Sequence, residues 1–262
     1  MAVTEESDAK RVIDAAREQN VCLRVIGGLA FKLRCPSAQH RAQARKYGDL
    51  DLVGYRKQRS EIQSVLEGLN FNPNRRFNAL QGHRRLLFVH PDETYDIDVF
   101  LDVFPMCHEL NFVGRLEKDT YTVPLPDMLL SKLQVVQLNE KDVLDMLALL
   151  QDYEVTEGND HEVLNTRFIN SLCGSDWGWY KTVTINIDKL LSMMGDYLGA
   201  GETADIVGKR LRHLKEEIES CPKSLKWRSR ALIGERQRWY ELPEDMARDV
   251  QEKGAHRGTG TP

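Results

Sequence analysis

Two aspartates stand one residue apart in Tyr47-Gly48-Asp49-Leu50-Asp51-Leu52-Val53, and a second pair stands in Tyr95-Asp96-Ile97-Asp98-Val99-Phe100. Both segments read as β-strands. On a strand, side chains at i and i+2 leave the same face, so Asp49 points with Asp51 and Asp96 with Asp98. Two carboxylates about 5 Å apart repel by roughly 3 kcal/mol at an effective dielectric of about 20. Three or more gathered in one place therefore call for a cation. The expected ion is Mg²⁺ (Mn²⁺ as a substitute), an oxygen-seeking ion held by carboxylates together with substrate phosphates. Upstream, the apolar run ending in Val25-Ile26-Gly27-Gly28 offers a backbone without Cβ atoms, where N–H groups can approach phosphate. The chemistry that these residue types fit is phosphoryl transfer.

The elements that must carry them read as mixed α/β. Ser7 is placed to cap a helix bearing Val12, Ile13 and Ala16. Val21 to Ile26 is a short strand stopped by Gly27-Gly28, and Leu29 to Leu33 opens a helix closed by Cys35-Pro36. Ser37 to Lys46 reads as a polar, basic loop, and Asp49 to Val53 as the next strand. Ile62, Val65, Leu66 and Leu69 have helical spacing. Arg85 to His90 and Tyr95 to Phe104 form an expected antiparallel pair across Pro91-Asp92-Glu93. Pro126 starts a helix, and Asn139 starts another with Asp142 in a capping-box arrangement. After about Asp152 the chain turns to helices and polar connectors, with Val207, Leu211, Leu214, Ile218 and Cys221 spaced as one packed face. The expected organisation is an active-site domain over residues 1–152, a helical region over 153–253, and a disordered Gly/Thr/Pro-rich tail over 254–262.

Bulk properties narrow the class. At 262 residues, 41% hydrophobic and 29% charged, the chain can bury a substantial core and is no disordered segment. No run of about 18 apolar residues occurs, so no membrane span or membrane partner is expected. The acidic N-terminus lacks an apolar signal region, and the 5 cysteines are scattered without CxxC spacing, the usage of reduced thiols in a cytoplasm. A formal charge of −4 gives no global attraction to nucleic acid.

Taken in order, Gly27-Gly28, Asp49-Leu50-Asp51 and the later acids resemble the nucleotidyltransferase superfamily related to DNA polymerase β. Leu125-Pro126-Asp127-Met128-Leu129-Leu130-Ser131-Lys132-Leu133, followed by Glu140-Lys141-Asp142-Val143-Leu144-Asp145, looks like the lysine and K/R-D-x-x-D motifs of minimal nucleotidyltransferases, including AbiEii-type toxins. The resemblance covers roughly residues 21–150. It implies an α+β fold: a mixed sheet of the nucleotidyltransferase type with flanking helices, then a helical C-terminal region. It also implies Mg²⁺-dependent transfer of a nucleoside monophosphate from an NTP such as ATP to a hydroxyl of a tRNA, a protein or a small molecule. Under it, Gly27 and Gly28 approach the nucleotide, Asp49 and Asp51 hold the metal, and Asp98 is the third carboxylate with Asp96 close behind. Lys132 neutralises phosphate charge, and Asp142 finishes the site or orients Lys132. Gly28 and Asp49 are 21 positions apart, which implies an insertion between Cys35 and Lys46.

Two other readings stay open on sequence: a non-catalytic nucleotide- or RNA-binding module, and a toxin-type enzyme restrained by an antitoxin-like partner. Met106-Cys107-His108 is expected to be packing plus a surface histidine rather than a metal site. Arg75-Arg76 and His83-Arg84-Arg85 read as solvated surface beside the acids. Basic residues between Val207 and Arg238 are interleaved with Trp227, with Trp239 and Tyr240 just beyond. Such a pattern can bind RNA or a nucleotide base, but a helical face with buried tryptophans is the expected arrangement.

Overall fold

The computed structural model describes residues 5–41 and 48–242. In chain order they form α1 (Glu5–Glu18), β1 (Leu23–Val25), α2 (Gly27–Arg34), α3 (Pro36–Arg41), β2 (Asp49–Gly54), α4 (Arg59–Gly68), β3 (Asn72–Pro73), α5 (Arg75–Gln81), β4 (Arg85–Val89), β5 (Asp96–Leu101), β6 (Val103–Pro105) and β7 (Glu109–Asn111). There follow α6 (Leu125–Leu133), α7 (Glu140–Asp152), the short β8 (Val155–Thr156) and β9 (Leu164–Asn165), α8 (Thr166–Ser175), α9 (Trp177–Leu198), α10 (Glu202–Ser220) and α11 (Leu225–Ile233). This is the expected α+β class, a mixed sheet followed by helices.

The main sheet has the order β1-β2-β5-β4-β3. β2 and β5 are parallel, and the other neighbours are antiparallel. Alternation decides its two faces. Leu50, Leu52, Leu86, Phe88, Ile97 and Val99 are fully buried on one of them, where Gly54, of the same parity, meets Ile62 of α4. Asp49, Asp51, Asp96 and Asp98 therefore leave the other face. Burying one face of strands this rich in β-branched and large apolar residues fixes the register, since a one-residue slip would drive the acids into the core.

Helix ends follow their sequence signals. Asn139 accepts from the Asp142 amide at 3.0 Å, and Asp142 accepts back from the Asn139 amide at 3.4 Å, closing the expected capping box. α6 has Pro126 in its first turn. Val207, Leu211, Leu214 and Ile218 are buried along α10.

Several expectations need correction. Ser7 lies within α1 and is not its cap, because Glu5 and Glu6 are already helical. Gly27 and Gly28 are the first two residues of α2 rather than a turn ahead of it. The long strand expected from Tyr95 to Phe104 breaks at Asp102, whose φ of 66° turns the chain out of the main sheet into the β6–β7 hairpin. Asp102 is structural: its carboxylate accepts from the Arg56 amide at 3.0 Å. In the span read as a loop from Ser37 to Lys46, residues up to Arg41 belong to α3, and 42–47 lie outside the described residues, as does the 254–262 tail. A single apolar cluster runs from Ala9 through the sheet and α6 to Ile218 of α10, so the C-terminal helices share the core of the sheet.

Candidate active site

The parallel pairing of β2 with β5 sets Asp49 opposite Asp96 and Asp51 opposite Asp98. Two pairs spaced by one residue in each strand thus become four carboxylates on one face, from strands that neighbour each other directly. Burial pushes the Asp51 carboxyl up to about 7, with the like charges of Asp98 and Asp49 adding to it. Asp49 is raised as well, first by burial and then by Asp96 and Asp98. Carboxyls perturbed by burial and by one another are a feature of functional sites.

Gly27 makes room for this arrangement. Its φ is 73°, a left-handed conformation, and a Cβ there would stand 2.3 Å from Asp51 Oδ2. Strand β1 delivers it: Val25 pairs with Leu52, and the Ile26 amide donates to the Asp51 carbonyl at 3.0 Å. α2 starts at Gly27 without a side-chain cap and without an acidic residue in its first turn. Its first amides therefore have no partner within the helix, and the positive end of the dipole lies beside the acids.

Lys132, on α6, is held by two carboxylates of α7, with Nζ 2.7 Å from Asp142 Oδ1 and 3.3 Å from Asp145 Oδ2. It lies 5.8 Å from the Phe31 ring centroid and is close enough to Asp51 to lower that residue's pKa. Burial alone would depress the lysine; Asp142 and Asp145 outweigh it and hold the ammonium above its usual pKa. Asp142 thus both caps α7 and orients Lys132. Asp145 was not given a role from sequence, although the i, i+3 spacing on a helix was the signal that would have found it.

Arg85 is exposed, as expected, and its guanidinium also donates to both carboxylate oxygens of Asp98 and lies 5.0 Å from the Phe100 ring centroid. No group of three or more His, Cys, Asp or Glu side chains among the described residues is arranged to hold a metal ion. The four predicted ligands share a face but do not converge as a set.

Met106-Cys107-His108 lies elsewhere, against the start of α9. Its histidine is only partly exposed: His108 Nε2 is 2.8 Å from Thr182 Oγ1, the ring tilts against Trp179 at 5.0 Å, and burial lowers its pKa to about 4.

No protein-family model matches the chain, and no curated protein matches it in sequence. Among solved structures it is similar to the antibiotic-resistance factor ANT(2'')-Ia, at 16% identity and a TM-score of 0.38, over 63% of this chain and 91% of that one. It is also similar to an antigenic nucleotidyltransferase-like protein from Paracoccidioides brasiliensis, at 13% identity and a TM-score of 0.39, over 84% of this chain and 94% of that one. Likenesses at these scores assign no roles within the site, which rest on its own geometry.

Proposed function

We propose that the chain is a metal-dependent nucleotidyltransferase that moves a nucleoside monophosphate from an NTP to an acceptor hydroxyl. The observation that carries this is the in-register set of Asp49, Asp51, Asp96 and Asp98, with Gly27 beneath Asp51 and Lys132 alongside.

A divalent cation fits Asp49 and Asp51. Both carboxyls are raised by burial and by neighbouring like charge, a cost that a bound cation removes. Asp98 fits once its oxygens leave Arg85, and Asp96, exposed at the start of β5, stands beside it. Bound Mg²⁺ or Mn²⁺ would supply Lewis-acid stabilisation of phosphate charge. The remaining work belongs to the chain. The amides of Gly27 and Gly28 receive phosphate oxygens at the start of α2. Lys132, fixed by Asp142 and Asp145, neutralises charge on the nucleotide phosphates. The acceptor hydroxyl gives its proton to the third carboxylate, Asp98, as its oxygen bonds to the α-phosphorus. The bond from that phosphorus to the bridging oxygen breaks, and pyrophosphate leaves.

The test is incubation of the protein with ATP, GTP, CTP and UTP labelled at the α-phosphate, Mg²⁺ and a cell extract, beside an Asp49→Ala/Asp51→Ala variant. Label appearing in RNA, protein or a small molecule with the wild type and absent with the variant is the expected result. Equal labelling by both, or none with a folded wild type, goes against the proposal.

A further inference from the structure

All 4 tryptophans of the chain gather at one end of the molecule. Trp227 and Trp239, with Tyr240, line an open cleft of about 890 Å³ between the β6–β7 hairpin, the start of α9, α11 and the segment after it. Trp177 lines it too, edge-on to Trp239 at 5.8 Å, and Trp179 lies behind under His108. The expected helical face with buried tryptophans is corrected here: Trp227, Trp239 and Tyr240 are only partly covered, and α11 buries none of its residues.

The rim carries charge. Arg84, Lys226 and Arg238 are exposed and make no ion pair with a described carboxylate. Arg230 Cζ lies over Trp177, 4.6 Å from the ring centroid, and its guanidinium donates to the carbonyls of Gly234 and Gln237 at 2.7 and 2.6 Å. Against these four cations the lining has three acids, Glu109, Asp176 and Glu241, and Asp176 is occupied in capping α9 through the Trp179 amide at 3.0 Å. Arg238 lies 4.8 Å from the Tyr240 ring centroid, and part-exposed rings beside cations that no described carboxylate holds match a strand of bases and phosphates.

Two segments lead from the carboxylates to this cleft. Phe100, on the Asp98 face, packs edge-on to Phe104 at 4.8 Å, next to Pro105 and Met106 of the lining. Beyond Lys132, Gln134 Oε1 accepts from the His108 amide at 3.1 Å, and the Val136 amide contacts Cys107 Sγ at 3.5 Å.

We propose that the cleft binds a single-stranded nucleic acid, its bases stacking on Trp227, Trp239 and Tyr240 and its phosphates meeting Arg84, Lys226 and Arg238. The acceptor of the transfer is then the end of that strand. The identity of the acceptor rests on the nucleotidyltransferase reading, whereas binding in the cleft does not.

The full chain is titrated into fluorescein-labelled single strands of about 12 nucleotides, a length within the range of stacking grooves, with RNA and DNA in separate arms. Binding in at least one arm is expected, and the two arms identify the source. Three phosphate contacts predict that log affinity falls with log salt at a slope of about −2. Arg84→Glu/Lys226→Glu/Arg238→Glu is expected to weaken binding at least tenfold, and Trp227→Leu about tenfold. Absence of binding in both arms, or affinity unchanged by the triple charge reversal, overturns the cleft assignment. Mg²⁺-dependent NTP binding, measured on the same preparations, is tied to the carboxylates alone, so its loss would contradict the catalytic reading and leave the cleft standing.

Discussion

The guanidinium of Arg85 donates to both carboxylate oxygens of Asp98, although the residue opposite Asp98 in the β4–β5 ladder is Leu87. Arg85 stands opposite Phe100 and reaches diagonally across the strand pair. The cross-strand diagonal is within range of a long side chain. Arg85 thereby acts as an internal counter-ion for one of the four carboxylates, leaving Asp49, Asp51 and Asp96 without a directly bound cation among the described residues.

Removing that counter-ion should matter most without metal. Arg85→Ala is expected to lower stability in EDTA by about 1 kcal/mol, a modest figure because the guanidinium is half exposed. Millimolar Mg²⁺ should restore most of the loss. Thermal unfolding with and without Mg²⁺ measures both, and a loss identical under the two conditions would show that Arg85 does not balance the metal-site charge.

Asp51→Asn should stabilise the metal-free protein at pH 8. The folded pKa of about 7 lies above the ordinary Asp value, so the stability tied to this carboxyl is full below the unfolded pKa and is lost as pH rises through 7. A neutral asparagine does not incur that loss. The expected gain is about 1–3 kcal/mol at pH 8, from roughly 1.4 kcal/mol per pKa unit, shrinking to nothing near pH 4. Urea unfolding at the two pH values decides it, and nucleotidyl transfer should fall at least about a hundredfold in the same variant.

Gly27→Ala carries two penalties. The left-handed φ of 73° costs a side chain about 1–2 kcal/mol, and the new Cβ would collide with Asp51 Oδ2. Lower stability together with weakened Mg²⁺-nucleotide binding is expected. Weakened stability with unchanged nucleotide affinity would separate Gly27 from the site.

Much of this site is legible in the sequence because period-two alternation is strict: Asp49/Asp51 and Asp96/Asp98 had to share faces once their strands existed. Strand pairing was not legible, since nothing local says that β2 and β5 are parallel neighbours in register. For the same reason the partner of Arg85 was hidden. Lys132 and Asp142 could be found by motif, whereas their direct contact depends on how α6 and α7 pack. Asp102 shows the opposite case: a non-glycine residue at positive φ broke a strand that composition alone would have continued. The aromatic cleft is assembled from the β6–β7 hairpin and helices far apart in sequence, and no window of the chain contains it.

Stability should also fall in mild acid through His108. Burial lowers its folded pKa to about 4, so its contribution is present above the unfolded value near 6.5 and is lost as pH drops from there toward 4. The loss attributable to this group is up to about 3 kcal/mol. His108→Phe, which keeps the stack on Trp179, should flatten the pH dependence of unfolding across that range; an unchanged slope would place the acid sensitivity elsewhere.

The most direct test of the central claim is calorimetric titration of an NTP analogue that cannot be cleaved between its α- and β-phosphates, with and without Mg²⁺, into wild type and Asp51→Asn. Mg²⁺ is expected to tighten binding to the wild type at least about tenfold, equivalent to about 1.4 kcal/mol, and to have no effect on the variant. Nucleotide affinity indifferent to Mg²⁺, or a Mg²⁺ effect that survives Asp51→Asn, would contradict it.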